Sequence, residues 1–296
     1  MRRANSIITV ADWLTEAEKV LAQAKVLSPH LDAGLLLTTA MSISEKQPLD
    51  RSQVYARASV PLDADTLDMA DKFLERRKNR EPLAYIAEKK EFYGREFTIT
   101  SSVLVPRPET ETIIDIVKAL PLKSPKIVDV GTGSGVIGIT LALELPNAKL
   151  TLSDLSSAAC TIASYNMRML GVGAKIVQSN LMKDVFGTYD LVVANLPYVD
   201  RDWEVSPETA FEPERALFAS DEGMFYIKKL LQEAKTKLTK SGLVIIEADT
   251  RQHAKLIDFA DKNDYKHRLT KGLILVFSLT KDIHENSVPV VKRKRK

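Results

Sequence analysis

Two short motifs in this chain combine residues that can hold a small ligand with residues that can orient a reacting group. Each motif directly follows an apolar run, as expected where a buried strand ends. The first motif is Asp129-Val130-Gly131-Thr132-Gly133-Ser134-Gly135, and the second is Asn195-Leu196-Pro197-Tyr198. Either motif alone is a weak signal, but the pair predicts transfer of a methyl group from S-adenosylmethionine to a planar nitrogen.

The first motif has the composition of a loop that a ligand approaches closely. Glycine has no Cβ and adopts positive φ readily, so alternating glycines let the backbone pass against a cofactor. At the carboxyl end of a first strand, such a loop faces the binding crevice of a doubly wound sheet. The stretch from Gly133 to Gly138 also contains the spacing G-x-G-x-x-G, so this pattern leaves a dinucleotide cofactor open.

Asp154 ends the next apolar run, where a carboxylate can accept hydrogen bonds from both hydroxyl groups of a ribose. This interaction is shared by NAD enzymes and methyltransferases, so Asp154 does not distinguish between the two cofactors. A purely structural function, the N-cap of the following helix, suits Ser156 or Ser157 better.

The second motif supplies the groups that methyl transfer to an amide or an exocyclic amine requires. The lone pair of such a nitrogen is delocalised, and two acceptors for its N–H hydrogens can hold it in the reactive orientation. We predict that the side-chain oxygen of Asn195 is one acceptor and the backbone carbonyl of Leu196 the other. Pro197 stiffens the turn, and Tyr198 offers a face on which a planar group can stack. This chemistry needs no metal and no covalent intermediate.

The pattern around these motifs predicts a doubly wound α/β domain. Strands and helices alternate from Lys126 onward, which indicates a seven-stranded, mostly parallel sheet. The connection from Leu269 to Gly272 is too short for a crossover, so we expect the last two strands to be antiparallel. Strands are predicted near residues 127–130, 149–153, 175–178, 191–195, 243–247, 265–268 and 273–278. Helices are predicted over residues 136–145, 158–170, 223–238 and 252–262.

The first part of the chain is predicted to be helical up to about Glu88. Thr9 and Asp12 resemble a capping box at the start of the first helix. Pro29 starts a second helix, in which we expect Leu31 to face inward. Residues 91–105 are predicted to form a β-hairpin, followed by a helix that begins at Pro106. The expected segments are a helical domain (1–88), a hairpin linker (89–108), a catalytic domain (109–282) and a disordered basic tail (283–296).

Composition and charge narrow the class of protein. The chain is 45% hydrophobic and 27% charged, has one cysteine, Cys160, and contains no apolar stretch long enough to span a membrane. We therefore expect a cytoplasmic protein. The net charge is +3, and removing the five basic residues 292–296 leaves −2. A near-neutral body argues against a broad nucleic-acid-binding face. The tail could touch RNA or a ribosome, although a disordered, solubilising tail is the favoured explanation.

Together these motifs resemble the release-factor glutamine methyltransferases, the HemK/PrmC family. The resemblance covers nearly the whole chain and includes further short runs. Those runs are Glu81-Pro82-Leu83-Ala84-Tyr85-Ile86, Glu91-Phe92-Tyr93-Gly94, Leu104-Val105-Pro106-Arg107-Pro108-Glu109-Thr110-Glu111 and Phe211-Glu212-Pro213-Glu214-Arg215-Ala216-Leu217. The Pro-Arg-Pro-Glu-Thr-Glu run is the most discriminating, because most other methyltransferases lack it.

The resemblance implies a class I methyltransferase fold behind a helical domain that helps to dock the substrate. The implied reaction methylates the side-chain amide nitrogen (N5) of the glutamine in the Gly-Gly-Gln loop of peptide-chain release factors, with S-adenosylmethionine as donor and S-adenosylhomocysteine as product. The implied substrate site is Asn195 to Tyr198, with Arg107 and Glu109 at its mouth. The implied cofactor site comprises Asp129, Gly131 to Gly135 for the methionine part, Asp154 for the ribose, Asn180 and Leu181 by the adenine, and Asn195.

The chain departs from the family pattern in three segments. Leu196 replaces the usual proline, which predicts a less rigid loop with the same carbonyl acceptor. Asn180 and Leu181 stand where an acidic and an aromatic residue are common, which predicts weaker cofactor binding. No glycine follows the strand that ends at Glu247.

Two other functions fit parts of the pattern. Asn-Leu-Pro-Tyr also resembles the motif of ribosomal RNA adenine dimethylases, so a nucleic-acid adenine N6-methyltransferase is the main alternative. The charge of the body and the Pro-Arg-Pro-Glu-Thr-Glu run favour the protein substrate. A non-enzymatic adaptor would have a damaged cofactor loop, whereas this loop is intact. We expect a monomer without metal or membrane partners.

Overall fold

The computed structural model of the protein describes residues 7–280. By its internal contacts the chain divides into two compact units, Met1–Glu88 and Lys89–Lys296. The basic tail predicted for residues 283–296 lies outside the described residues. Among residues 7–280, no helix has the length and apolar character needed to cross a membrane.

The described part of the first unit consists of helices around one apolar core. The predicted capping box is present: the Thr9 side chain accepts from the backbone N–H of Asp12, whose carboxylate accepts from the backbone N–H of Thr9. The prediction that Leu31 faces inward is wrong, because its side chain is 39% exposed. At about 100° per residue, Leu31 lies on the side of its helix opposite the buried Ala40. The helices are α1 (Val10–Gln23), α2 (Pro29–Ser44), α3 (Arg51–Tyr55), α4 (Ala64–Lys78) and α5 (Leu83–Ile86).

The second unit starts with a short antiparallel hairpin of β1 (Lys89–Phe92) and β2 (Arg95–Thr98). The predicted extension of this hairpin to residue 105 is wrong, since residues 103–105 form no strand. The backbone N–H of Val103 closes a turn onto the carbonyl of Thr100. Pro106 has no N–H with which a strand ladder could continue.

The second unit is built on a seven-stranded sheet in the order β5-β4-β3-β6-β7-β9-β8. Strand β9 is antiparallel to both of its neighbours, and the other strand pairs are parallel. This arrangement confirms the predicted fold class, including the antiparallel final pair. The strands are β3 (Lys126–Val130), β4 (Lys149–Asp154), β5 (Lys175–Gln178), β6 (Tyr189–Ala194), β7 (Leu238–Glu247), β8 (Tyr265–Lys271) and β9 (Ile274–Leu279).

The helices of the second unit follow the predicted alternation with shifted ends. The helix predicted over 223–238 ends earlier, because the chain enters β7 at Leu238. The helix predicted to begin at Pro106 starts later, since Arg107 precedes a proline and is held in an extended conformation. Ser156 caps α8, as predicted. The helices are α6 (Glu111–Lys118), α7 (Val136–Glu144), α8 (Ser157–Met169), α9 (Glu214–Leu217), α10 (Phe225–Ala234) and α11 (His253–Lys262), with 3-10 turns at Pro108–Thr110 and Pro207–Phe211.

The strand order explains why the two sequence motifs meet. Strands β3 and β6 are parallel neighbours, and Val130 pairs with Ala194 in their register. The glycine loop and Asn195 therefore leave the sheet side by side at its carboxyl edge. In a doubly wound sheet this edge is where ligands bind.

Candidate active site

Two cavities meet at the carboxyl edge of the sheet. The first, called here the cofactor cavity, is lined by Gly131, Gly133, Asp154, Leu181 and residues of the 195–197 turn. The second, the substrate cavity, is lined by Arg107, Tyr198 and residues of the segment that follows the turn. The two cavities share Leu104, Asn195, Leu196 and Ala216. Asn195 and Leu196 thus stand where a donor in one cavity would meet an acceptor in the other.

The glycine loop presents bare backbone to the cofactor cavity. Its three glycines have φ values of +71° (Gly131), +56° (Gly133) and +86° (Gly135), which L side chains rarely adopt. A Cβ at Gly131 would also lie 2.7 Å from Cδ2 of Leu196. The loop therefore requires glycine both for its backbone conformation and for its close approach to the 195–197 turn.

Asp154 fastens the glycine loop and lines the cofactor cavity. Its Oδ2 accepts from the backbone N–H of Gly133 at 2.9 Å, and its Oδ1 accepts from the backbone N–H of Ser156 at 2.8 Å. Burial raises the pKa of this carboxyl, while these two backbone hydrogen bonds oppose the shift. Each carboxylate oxygen can accept a further hydrogen bond, so the group can also receive ligand hydroxyls from the cavity.

Several predicted cofactor residues do not face the cofactor cavity. Asp129 is fully buried, and its Oδ2 accepts from Oγ1 of Thr132 at 2.6 Å and from the backbone N–H of Gly138 at 2.9 Å. The carbonyl of Ser134 accepts from Nδ2 of Asn166 at 2.9 Å. None of Asp129, Thr132, Ser134 and Gly135 lines the cofactor cavity. These contacts hold the loop in shape.

Asp129 couples folding stability to pH. Burial raises the pKa of its carboxyl to about 6 from 3.8. The folded chain thus holds this proton more tightly than the unfolded chain. The resulting stabilisation is complete below the unfolded pKa and is lost as the pH rises through the folded pKa. Between about pH 5 and pH 7.5, we expect the cofactor-free protein to lose roughly 1 kcal/mol more of its unfolding free energy than Asp129→Asn.

Thermal unfolding of both proteins at the two pH values measures this difference, which corresponds to roughly 3 °C in Tm. Asparagine keeps an oxygen that can accept from Thr132 and Gly138, so the variant removes the titration while preserving those contacts. Parallel pH dependence in the two proteins would contradict the assignment.

The side chains of the second motif are anchored by a buried carboxylate. Nδ2 of Asn195 donates to Oγ1 of Thr110 at 3.0 Å, and that hydroxyl donates to Oε2 of Glu247 at 2.7 Å. The Tyr198 hydroxyl donates to Oε1 of Glu247 at 3.0 Å. Burial raises the pKa of Tyr198, as does the nearby charge of Glu247, so the phenol stays protonated. With its NH2 group engaged, Asn195 has Oδ1 available as an acceptor.

The predicted mouth residues differ in their placement. Arg107 lines the substrate cavity and forms an ion pair of 2.6 Å with the buried Glu212. Glu109 is exposed and lines neither of the two cavities. Arg107 therefore fits the predicted location better than Glu109.

The remaining predicted residues border the cofactor cavity. Asn180 is exposed at its rim, and Leu181 is buried in its wall. Leu196 is only 4% exposed and packs against Gly131. Its apolar side chain thus fills the space between the cofactor loop and the second motif.

Thr110 and Glu247 support the second motif although no function was predicted for them from the sequence. Thr110 belongs to the discriminating Pro-Arg-Pro-Glu-Thr-Glu run, and Glu247 is a carboxylate at the end of an apolar run. A charged group in such a position is buried only when it has partners, which is a signal that could have identified Glu247. Arg215 and Tyr226 also line the cofactor cavity without having been predicted.

The fold and the two adjoining cavities define a class of methyltransferase. A solved methyltransferase from Pyrococcus furiosus superposes with a TM-score of 0.51 at 18% identity, covering 70% of this chain and 98% of the other, which shows the shared fold. Two family descriptions match the sequence: the PrmC N-terminal domain over residues 12–87 and the Methyltransferase small domain over residues 110–211.

Curated relatives narrow the class to one family. The release factor glutamine methyltransferase of Deinococcus radiodurans is 33% identical over 81% of this chain and 86% of its own length. Those of Koribacter versatilis and Neisseria gonorrhoeae are both 34% identical, over 81% and 74% of this chain and 86% and 80% of their own lengths. The chain belongs to the release factor glutamine methyltransferase family.

Proposed function

We propose that this protein transfers a methyl group from S-adenosylmethionine to the side-chain amide nitrogen of the glutamine in the Gly-Gly-Gln loop of peptide-chain release factors. The observation that carries the proposal is the position of Asn195 and Leu196 in the shared wall of both cavities. An acceptor of the substrate N–H hydrogens is needed where donor and nucleophile meet. The relatives' common activity supports a glutamine amide as that nucleophile.

The residues around the cofactor cavity suit S-adenosylmethionine. Gly131 and Gly133 leave room for the amino-acid part, and Asp154 can accept from the ribose hydroxyls. Leu181 offers an apolar surface for the adenine, next to the polar amide of Asn180. When bound, the cofactor supplies an electrophilic methyl group on a sulfonium centre.

The residues of this protein contribute to the reaction by orienting the glutamine amide. Oδ1 of Asn195 and the backbone carbonyl of Leu196 accept the two amide hydrogens, which aims the nitrogen lone pair at the methyl group and disperses the developing positive charge. Pro197 restrains the turn, and Tyr198 stacks on the amide plane. Arg107 borders the cavity through which the glutamine side chain enters.

The helical unit, residues 1–88, is proposed to help dock the release factor. The match of residues 12–87 to the PrmC N-terminal domain links this unit to the release factor methyltransferase family. We further propose that the enzyme works as a cytoplasmic monomer, since the residues proposed to bind the cofactor and the glutamine all lie in the second unit.

Mass spectrometry of a purified release factor tests the proposal. After incubation with this protein and S-adenosylmethionine, we expect the peptide containing Gly-Gly-Gln to gain the mass of one methyl group, located on the glutamine by fragmentation. A release factor with asparagine in place of that glutamine is the matched control and should stay unmodified. An unmodified wild-type release factor, with cofactor binding shown by calorimetry, would overturn the proposal and make ribosomal RNA adenine the next substrate to assay.

A further inference from the structure

The side chains behind Asn195 form one chain of hydrogen bonds that ends on a buried carboxylate. Its members come from three separate elements: Thr110 from a 3-10 turn, Asn195 from the end of β6, and Glu247 from the end of β7. Thr110 is 2% exposed and Glu247 is 0% exposed. The bonds are 3.0 Å from Asn195 Nδ2 to Thr110 Oγ1 and 2.7 Å from Thr110 Oγ1 to Glu247 Oε2.

The chemistry of these groups determines which group donates and which accepts in each hydrogen bond. An ionised carboxylate only accepts, so the single hydroxyl hydrogen of Thr110 is committed to Glu247. The Thr110 oxygen can then only accept a hydrogen bond from Asn195. The NH2 group of Asn195 can donate this bond, whereas its amide oxygen cannot. An asparagine amide has nearly the same shape in its two flipped orientations, and only one of them turns Oδ1 toward a substrate N–H.

We propose that Glu247 and Thr110 are positioning residues that fix the orientation of the Asn195 amide, so that its oxygen rather than its NH2 group faces the substrate nitrogen. The inference rests on the proposed function and names how this site is kept in its productive state. The other oxygen of Glu247 accepts from the Tyr198 hydroxyl at 3.0 Å. One buried carboxylate therefore orients both the acceptor and the ring of the second motif.

Protonation of Glu247 would reverse the direction of the hydrogen bonds between Glu247, Thr110 and Asn195. Burial raises the pKa of this carboxyl, against the opposing hydrogen bonds from Thr110 and Tyr198. A protonated Glu247 can donate to Thr110, whose hydrogen is then free to turn to Asn195 and favour the flipped amide. Other titratable or charged groups act on this cluster: Glu109 on Glu247, Arg107 and Asp249 on Tyr198, and His253 on Asp249.

The first test compares substitutions at Thr110. Thr110→Val keeps the shape and removes the hydroxyl, so we expect kcat to fall roughly 10²-fold with little change in the affinity for S-adenosylhomocysteine. Thr110→Ser keeps the hydroxyl and should restore most of kcat. Thr140→Val is the matched control, because Thr140 is fully buried in α7 and its hydroxyl has no hydrogen-bond partner within the described residues. A wild-type kcat in Thr110→Val would overturn the inference.

The second test follows kcat against pH. Glu247→Gln keeps an oxygen that can accept from Thr110 but cannot titrate. We expect kcat of the wild type to fall on the acidic side, because the productive orientation needs ionised Glu247. This acidic fall should be absent in Glu247→Gln. If the acidic fall of kcat persists in Glu247→Gln, another group causes it, and Glu247 is removed from the positioning role.

The third test observes the amide without turnover. In protein labelled with 15N-asparagine, the Asn195 side-chain signal is identified by its absence in Asn195→Ser. We expect this signal to shift in Thr110→Val and to keep its wild-type position in Thr110→Ser. An unshifted signal in Thr110→Val refutes the inference. If the wild-type protein leaves release factors unmodified, the proposed function fails, and this measurement still decides how the amide is held.

Discussion

Replacing Asn195 by alanine is expected to lower the rate of methyl transfer by roughly 10³-fold while leaving cofactor affinity nearly unchanged. The side chain supplies one of the two acceptors that hold the substrate amide. Without it, the nitrogen loses both its orientation and the stabilisation of the charge that develops on it. The backbone of the 195–197 turn still lines the cofactor cavity in this variant, so S-adenosylmethionine can still bind.

Single-turnover rates on a release factor, combined with calorimetry of S-adenosylhomocysteine, separate these two effects. Asn263→Ala is a suitable control, because it removes another side-chain amide whose Nδ2 donates to the carbonyl of Phe259 at 2.8 Å, at the end of α11. A transfer rate within a fewfold of wild type would exclude Asn195 as a catalytic residue. A large loss of cofactor affinity would instead place its main function in the cofactor wall.

Replacing Asp154 by alanine is expected to weaken cofactor binding by roughly 10²-fold. Hydrogen bonds to a charged group contribute about 1.5–3 kcal/mol each, and about 1.4 kcal/mol corresponds to a factor of ten in affinity. The variant removes the acceptor for the ribose hydroxyls and also the bond that fastens the backbone of Gly133. Both losses lower the affinity of the cofactor cavity for its ligand.

The ligand can be varied to separate the ribose contact from the loop contact. The wild-type protein should discriminate against the 2′-deoxy analogue of S-adenosylhomocysteine, and this discrimination should largely disappear in Asp154→Ala. Asp190→Ala is the matched control, because Asp190 also accepts two hydrogen bonds, from Lys126 at 2.8 Å and Thr239 at 2.9 Å, where β6 begins. Discrimination that survives in Asp154→Ala would exclude the ribose assignment and leave Asp154 as a loop anchor.

The large effects expected from replacing Asn195 and Asp154 have a common structural origin. Asp154 is the last residue of β4 and Asn195 directly follows β6, so both lie at the edge where these parallel strands end. Rigid strands hold such side chains more firmly than a free loop would. The proposed substrate and cofactor sites therefore share one framework.

The sequence by itself determined the fold class, the two motifs and the family. Strand-helix alternation and the short link before β9 are local patterns, and they predicted the mostly parallel sheet with its antiparallel end. Each of the two motifs, the glycine loop and residues 195–198, is a single continuous run of residues. Its chemistry could therefore be predicted from the sequence without a structure. Errors arose at the proline-rich segment around Pro106 and at Leu31, where helical or strand periodicity was extended too far.

Only the tertiary structure decided which distant side chains support the motifs. Thr110 and Asn195 are 85 positions apart, and Thr110 and Glu247 are 137 apart. No local period links such residues. They meet because β6 and β7 are neighbours and Thr110, the last residue of the 3-10 turn, hydrogen-bonds to residues at the ends of both strands. The structure likewise placed Asp129 beneath the glycine loop, since a buried carboxylate and a ligand-binding one look alike in sequence and differ only in what surrounds them.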